Sequence, residues 1–490
     1  MKYKIYSMVL MGFVLFISFV ISAKPTDYRR VNEHLETIKK ESCSHVDGIF
    51  CTHLPVISID TENNFMPDAI IEDPLTGKES FNNEFVGATV TIYDSYEKNN
   101  HLKDEPKYIS KANVRYRGNS SRKFDKKGML VNLSKEEQEK NRLPLLGMTK
   151  DSSWVLHGPY LDKTLMRNYM WYNIAGEIME YSPNVRFCEV FLNHEYMGLY
   201  VLTEKIDFNE EGRVNITKAY SNRNTTSYIL EIDRGYADED KIIKTFSNYA
   251  LKVPGEMSKG GVMEIVYPGS KTLTEEHKEY ITEDISNFEK ALYSFDYKDK
   301  RYGYENFINV QSFIDYFIIN EFTTNYDSLF LSTYLYKDIR GKMNMVVWDF
   351  NSSCDNYALS QTNPQRFEMQ ENFWYKMLFK DERFVDRVIT RYRYLRKNIL
   401  SDEYLVNYID EVERYLGEAI SRNYEKWGYT FQEEYDELSP IERNPRTYEE
   451  AINQMKEFII NRGKFMDDNI ENLYQYCHSS KNKKFNHEVE

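Results

Sequence analysis

The stretch spanning residues 310–356 constrains the fold most, because it joins a helix pattern, a polar break, a hairpin pattern and two carboxylates without interruption. Phe313, Ile314, Phe317 and Ile318 recur at helical spacing and predict a buried helix. Thr323-Thr324-Asn325-Tyr326-Asp327 is the polar break that ends it. Residues 329–336 form an aromatic and apolar run of strand character. Residues 337–341 follow as a turn closed by Gly341, and residues 343–348 are a second apolar strand with Asp349 at its end. A hairpin returns the chain on itself, so Asp327 and Asp349 flank one element and can face one site.

Carboxylates placed this way suit phosphoryl transfer. One aspartate after a helix orients an acceptor hydroxyl, and a second after a short hairpin holds a divalent cation against nucleotide phosphates. Asp327 fits the first role, and Asp349, followed by Phe350, fits the second. Aspartate is also a common turn residue, and two turn caps would give the same spacing. A glycosidase pair is a third reading of two carboxylates, but it needs divergent acidities that nothing in the sequence requires. The rest of the chain has to decide.

With 490 residues, 41% hydrophobic and 15% aromatic, the chain can bury one large or two medium cores. Its 40 tyrosines suit either aromatic contact surfaces or a tyrosine-rich core, and core packing is the expectation. A net charge of −14 argues against nucleic acid as a partner, which needs a basic face, and leaves room for a local basic pocket for ATP. Lys2 and Lys4 precede an apolar run, residues 5–21, and Ser22-Ala23 offers a small-residue cleavage site. Residues 1–23 therefore read as a signal peptide or, given the length of the run, a membrane anchor through residues 5–23. Either one places the body outside the cytoplasm, secreted or N-terminally anchored. Of the five cysteines, Cys43 and Cys51 would close a small loop if paired, and an odd number leaves at least one over. No histidine or cysteine spacing matches a zinc site. His194-Glu195 opens like one, but Gly198 stands where the second histidine belongs.

Along the chain, residues 24–53 read as a polar linker or loosely packed arm, and the folded body spans 54–475. Its first part, about 54–254, carries strands at 54–60, 86–93, 112–117, 129–133, 187–192, 198–203 and 228–233. A helix is expected at 165–178 and a turn at Asn193-His194-Glu195. Between the strands at 112–117 and 129–133 lies a turn rich in Gly, Ser and basic residues, of a kind that offers N–H groups and cations to phosphate, or simply to solvent. Residues 255–270 read as an irregular loop. The second part, about 255–475, is helical: Thr272 and Glu275 read as a capping box, with amphipathic helices after it and at 373–378, 384–400, 404–420 and 448–473. Residues 476–490 are a charged tail. The fold class is α+β, with a β-rich N-terminal part and a helical C-terminal part, the order a bilobal kinase also has.

Several segments together resemble the spore coat protein H (CotH) family of atypical, secretory-type kinases. They are LPVISID at 54–60, RYRGNSSRKFDKK at 115–127, WVLHGPYLDKTLMRN at 154–168, FLNHEYMGLYVLTEKID at 191–207, NYDSLFLSTYLY at 325–336 and VVWDFN at 346–351, with NRGKFMDDNIENL at 461–473 fitting the family's end. The resemblance implies a bilobal, atypical protein-kinase-like fold. It also implies dependence on ATP and on Mg²⁺ or Mn²⁺, and phosphorylation of serine or threonine on an exported or spore-coat protein. Carried onto these residues, it implies Asp327 as the catalytic aspartate and Asp349 as a metal ligand. Arg117, Lys126 and Lys127 would lie near the nucleotide phosphates. Alternation puts the two lysines on opposite faces, so only one should matter. Kinase logic adds Glu204 as a partner for that lysine. Two positions depart from the family's pattern: Ser332 stands where an asparagine is frequent, and Asn351 where a second aspartate is frequent. Both can ligate a hard cation through oxygen, but with less charge. The alternative is a catalytically weak or inactive CotH-like protein of a surface, adhesion or coat-assembly type.

Overall fold

A computed structural model describes residues 32–35, 50–62, 64–72, 79–135, 139–234, 239–250, 261–356, 363–435, 438, 440 and 443–477. The first part of the chain forms β1 (Val56–Asp60), β2 (Val86–Tyr93), β3 (Tyr108–Arg117), β4 (Gly128–Ser134) and β5 (Ser153–His157). After helix α1 (Arg167–Ile178) come β6 (Val185–Leu192) and β7 (Glu195–Glu204). These seven strands close into a barrel in the order β6-β7-β5-β4-β3-β2-β1. Every pairing is antiparallel except the closing one, where β1 runs parallel to β6 with Val56 opposite Glu189. Period-two burial explains the curl: Ala88, Val90 and Ile92 of β2 point into the barrel, while their neighbours are partly exposed. Trp154, Leu156 and Tyr200 help to fill the interior. The β6–β7 turn falls at the expected place, with Asn193 and His194 both at left-handed φ (+48° and +67°), the twist that a two-residue hairpin needs.

A second sheet follows. It contains β8 (Tyr228–Asp233), β9 (Ile242–Ile243), β10 (Val262–Tyr267), β11 (Thr333–Lys337) and β12 (Asn344–Val346), in the order β9-β10-β8-β11-β12. Helices α2 (Glu275–Tyr293) and α3 (Val310–Thr323) lie between β10 and β11 in the chain. Helices α4 (Glu382–Arg396), α5 (Asp402–Leu416), α6 (Glu418–Trp427) and α7 (Tyr448–Asn469) complete the C-terminal half. The molecule is thus α+β, strand-rich first and helical later. Many tyrosines go inward: Tyr169, Tyr172, Tyr228, Tyr316 and Tyr375 are among the largest fully buried side chains, while others such as Tyr249 and Tyr302 stay exposed.

Local expectations fail in four places. The loop expected at 255–270 contains β10, where Met263 and Ile265 turn into the core on alternate positions. The N-cap of α2 is Thr274, which accepts from the His277 N–H, and not Thr272. Residues 329–332 are a turn rather than strand, with Leu329 and Ser332 at positive φ (+73° and +50°), so β11 begins only at Thr333. The helix expected at 404–420 is broken by Gly417 at φ +48°, which separates α5 from α6.

Part of the polar arm is also packed. Glu33 and His34 are buried, the Glu33 carboxylate accepts the Phe187 N–H at 2.6 Å, and His34 Nδ1 lies 3.0 Å from the Tyr169 hydroxyl. The N-terminal segment 1–23, Cys43 and the tail beyond residue 477 lie outside the described residues. Among the described residues no helix is long and apolar enough to cross a membrane.

Candidate active site

The central strand of the second sheet, β8, carries Glu231 and Asp233 two residues apart and so on one face. Tyr334 of β11 stands opposite Glu231, and its hydroxyl donates to Glu231 Oε1. Beyond β12 the chain continues through buried Val347 and Trp348 into half-buried Asp349, at φ +58°. Arg117, the last residue of β3, arrives from the barrel, with its guanidinium carbon 5.0 Å from the centre of the Trp348 ring. Among the described residues the Arg117 side chain makes no hydrogen bond or ion pair, so its fork of N–H donors is unspent.

Asp327 lies in the turn after α3. Thr324 caps that helix in the left-handed conformation. Asn320, one turn back, gathers the loop: its Oδ1 accepts from Asn325 Nδ2 (3.0 Å) and Ser328 Oγ (2.6 Å), while its carbonyl accepts the Asn325 N–H at 2.9 Å. The Asp349 loop is held from α1. Tyr172 Oη accepts the Asp349 N–H (2.8 Å) and Asn168 Oδ1 accepts the Phe350 N–H (2.7 Å). Arg167 Nε donates to the Ser353 carbonyl (3.0 Å). The two loops are tied to each other by the Cys354 N–H on the Thr323 carbonyl at 2.8 Å.

The electrostatics put these groups in one field. Burial raises the Asp349 carboxyl to about 6, and the charge on Asp327 adds to it. Arg117 and the Asn351 N–H oppose the shift, and Asp233 adds a further push upward. Asp327 is raised by burial and by Asp233, against the opposing charge of Arg234. Glu231 is raised to about 7, mainly by burial, with the Tyr334 hydroxyl and Arg117 opposing and Asp233 and Glu264 adding. A carboxyl raised above its unfolded value stabilises the fold fully below that unfolded value, and the benefit is lost as pH rises through the folded one. Ionised Asp349 is therefore a cost to the fold at pH 7.5. Asp349→Asn should raise the stability of the metal-free protein by roughly 1–2 kcal/mol at pH 7.5, after allowing for solvent screening. The gap should narrow as pH falls through about 6. Melting curves of the two proteins across that range measure it, and a variant no more stable at pH 7.5 would refute the assignment.

The residues expected at the site divide. Asp327, Asp349 and Arg117 act on one another's charge, and the Asn351 N–H favours the ionised Asp349 carboxylate. Ser332 lies at the turn just before β11, and no bond from its side chain to Asp327 or Asp349 is made. Lys126 does not point at the carboxylates. It is buried, and its Nζ donates to Asn423 Oδ1 of α6 at 2.7 Å and lies over the Tyr200 ring. Burial, then the charge of Lys163, pushes its amine well below the usual lysine range. Both lysines lie in the bend before β4 and not in a strand, so alternation does not set their directions; Lys127 donates to the Phe124 carbonyl at 3.0 Å. Among the described residues Glu204 pairs with no lysine: it accepts from Arg213 Nη1 (2.7 Å) and from the Asn184 N–H (2.9 Å). Hairpin geometry accounts for Glu204, because it closes the end of β7 and faces the loop to Arg213. The missed residues are Glu231, Asp233 and Tyr334, together with the α1 side chains that frame the Asp349 loop. Two acids at alternate positions of an otherwise apolar strand, ILEID, were the available signal.

Among the described residues no group of three or more His, Cys, Asp or Glu could hold a metal unaided. A nucleotide-bound divalent cation draws several of its oxygens from phosphate and water and needs as little as one carboxylate from protein, which Asp349 could supply. An unspent guanidinium on one side and carboxylates on the other is an arrangement able to receive an anion and a cation together. The family model described as CotH kinase protein matches residues 114–466, most of the chain, and the chain belongs to that family. No curated protein matches.

Proposed function

We propose that this chain is a protein kinase that transfers the terminal phosphoryl group of ATP to a serine or threonine hydroxyl of an exported protein, such as a spore-coat component. The observation that carries the reading is Arg117. It is stacked on Trp348 with its donors free, and its charge reaches Asp349, Asp233 and Glu231. A free guanidinium facing carboxylates fits a substrate that brings anionic oxygens for the arginine and a cation for the acids, as a metal-chelated nucleotide does.

On this reading Asp327 accepts a hydrogen bond from the acceptor hydroxyl and orients its oxygen toward the terminal phosphorus. The new O–P bond forms as the bond to the ADP oxygen breaks, and the hydroxyl proton passes to Asp327 and then to solvent. Asp349 would hold the Mg²⁺ or Mn²⁺, and the Asn351 side chain would offer a neutral oxygen to it. When bound, that cation neutralises charge on the phosphate oxygens. Arg117 donates to the same oxygens from the barrel side. The exported location rests on residues 1–23, as a cleaved signal or an anchor. The two-lobed kinase division, barrel against helical part, belongs to the same proposal.

The test uses residues 24–490 with radiolabelled ATP and Mg²⁺ or Mn²⁺, with label read on the protein itself and on a serine-rich acceptor. Label that requires the cation supports the reading. No label and no ATP-dependent rise in melting temperature refute it. A second reading, a catalytically weak member, is favoured by one observation: neutral Asn351 stands two residues after Asp349, where a carboxylate would add charge. Asn351→Asp should tighten Mn²⁺ binding in the presence of ATP by roughly an order of magnitude. An unchanged affinity by calorimetry would show that residue 351 lies outside the cation's reach.

A further inference from the structure

Asp349 is not glycine, yet it sits at φ +58°, a conformation that L side chains rarely adopt. Its neighbours must therefore over-determine it. The restraint comes from one helix. Asn168 and Tyr172 lie four residues apart on the same face of α1 and accept the N–H groups of Phe350 and Asp349 in turn. Arg167 adds the Ser353 carbonyl, and is itself fixed by an ion pair with buried Asp162. Tyr172 is fully buried, with its ring tilted against Trp348 (5.7 Å between centroids) and edge-on to Phe350 (5.6 Å). A phenylalanine would fill the same space. Among the described residues the Tyr172 hydroxyl has one partner, the Asp349 N–H.

We infer that Tyr172 is a positioning residue for the Asp349 carboxylate: its hydroxyl pins the Asp349 peptide, so that the carboxylate faces Asp327 and Arg117. The inference rests on the reading of Asp349 as the residue that holds the cation. Tyr169 offers the contrast within one helix. It faces away from the loop, stacks on Phe187 (4.1 Å) and meets His34. A purely structural role predicts that the two tyrosines behave alike, whereas a positioning role predicts that they separate.

The experiment titrates Mn²⁺ in the presence of ATP, following free Mn²⁺ by electron paramagnetic resonance, on the wild type, Tyr172→Phe and Tyr169→Phe, with a melting curve for each. Partners that orient a metal ligand are typically worth about 10–100-fold in affinity. Tyr172→Phe should therefore lose about tenfold or more, while Tyr169→Phe stays within about twofold of wild type whatever its melting temperature does. Where Tyr172→Phe does not fold, Asn168→Ala removes the neighbouring bond and takes its place. Equal Mn²⁺ affinity in Tyr172→Phe and wild type overturns the inference and leaves the reading of Asp349 standing. A wild type that binds no Mn²⁺ overturns both.

Discussion

Asp327→Ala should lower phosphoryl transfer by about 10²–10⁴-fold, the range expected when a positioned proton acceptor is removed. The fold should survive. Among the described residues the Asp327 side chain makes no hydrogen bond, and the loop is tied down through Asn320, Asn325 and Ser328 instead. Burial raises the Asp327 carboxyl, so the fold spends free energy keeping it ionised, and alanine relieves that cost. Because Asp327 is assigned to the acceptor hydroxyl, ATP should still raise the melting temperature of the variant. Labelled transfer, a melting curve and an ATP-dependent shift on the same preparation check all three statements. Wild-type transfer by the variant would place the chemistry elsewhere.

The largest stability effect should come from Arg462 of α7. Its side chain is wholly buried and forms an ion pair with equally buried Glu321 of α3. The same guanidinium donates to the Glu321 carbonyl (2.8 Å) and to the carbonyls of Pro364 (2.9 Å) and Arg366 (2.6 Å). Glu321 in turn accepts the N–H groups of Glu368 (2.9 Å) and Met369 (2.7 Å). One charge pair thus joins α7, α3 and the 364–369 segment. Arg462→Ala leaves Glu321 buried without its cation, and losing one partner of such a pair costs about 3–5 kcal/mol. Urea unfolding followed by circular dichroism measures it. A loss under about 1 kcal/mol, the range of exposed pairs, would mean that water reaches Glu321 in solution.

What the sequence disclosed, and what it hid, follows from the range of the interactions involved. Strands such as 86–93 and 228–233 and the helix over Phe313 to Ile318 are written in local periodicity, and they stand where the pattern puts them. The nearness of Asp327 to Asp349 is legible because a hairpin brings its flanks together whatever surrounds it. Barrel closure was not legible, since the pairing of Val56 with Glu189 leaves no trace in either segment alone. The same holds for Lys126: it lies in a bend where alternation has no hold, and only the distant α6 decides that it meets Asn423 and not the carboxylates. Glu204 went to Arg213, a residue in an irregular loop that no period marks. Glu231 and Asp233 carried a readable signal, acids inside a buried strand, and their neighbours across the sheet supplied its meaning.

The single parallel pairing in the barrel also governs when the protein can fold. β1 is among the first strands to be made, yet its second neighbour, β6, comes after all of β2 to β5 and α1. β7 must then fit between β6 and β5 before the circle is complete. A chain cut short of Glu204 is left with unpaired strand edges, which are templates for pairing with other chains. Contacts this far apart in sequence form slowly, because the intervening chain must be ordered before they repay its entropy. The late pair, β6 and β7, is therefore the step that commits the N-terminal half to its native state, and nascent or truncated chains that lack it are the forms most exposed to aggregation.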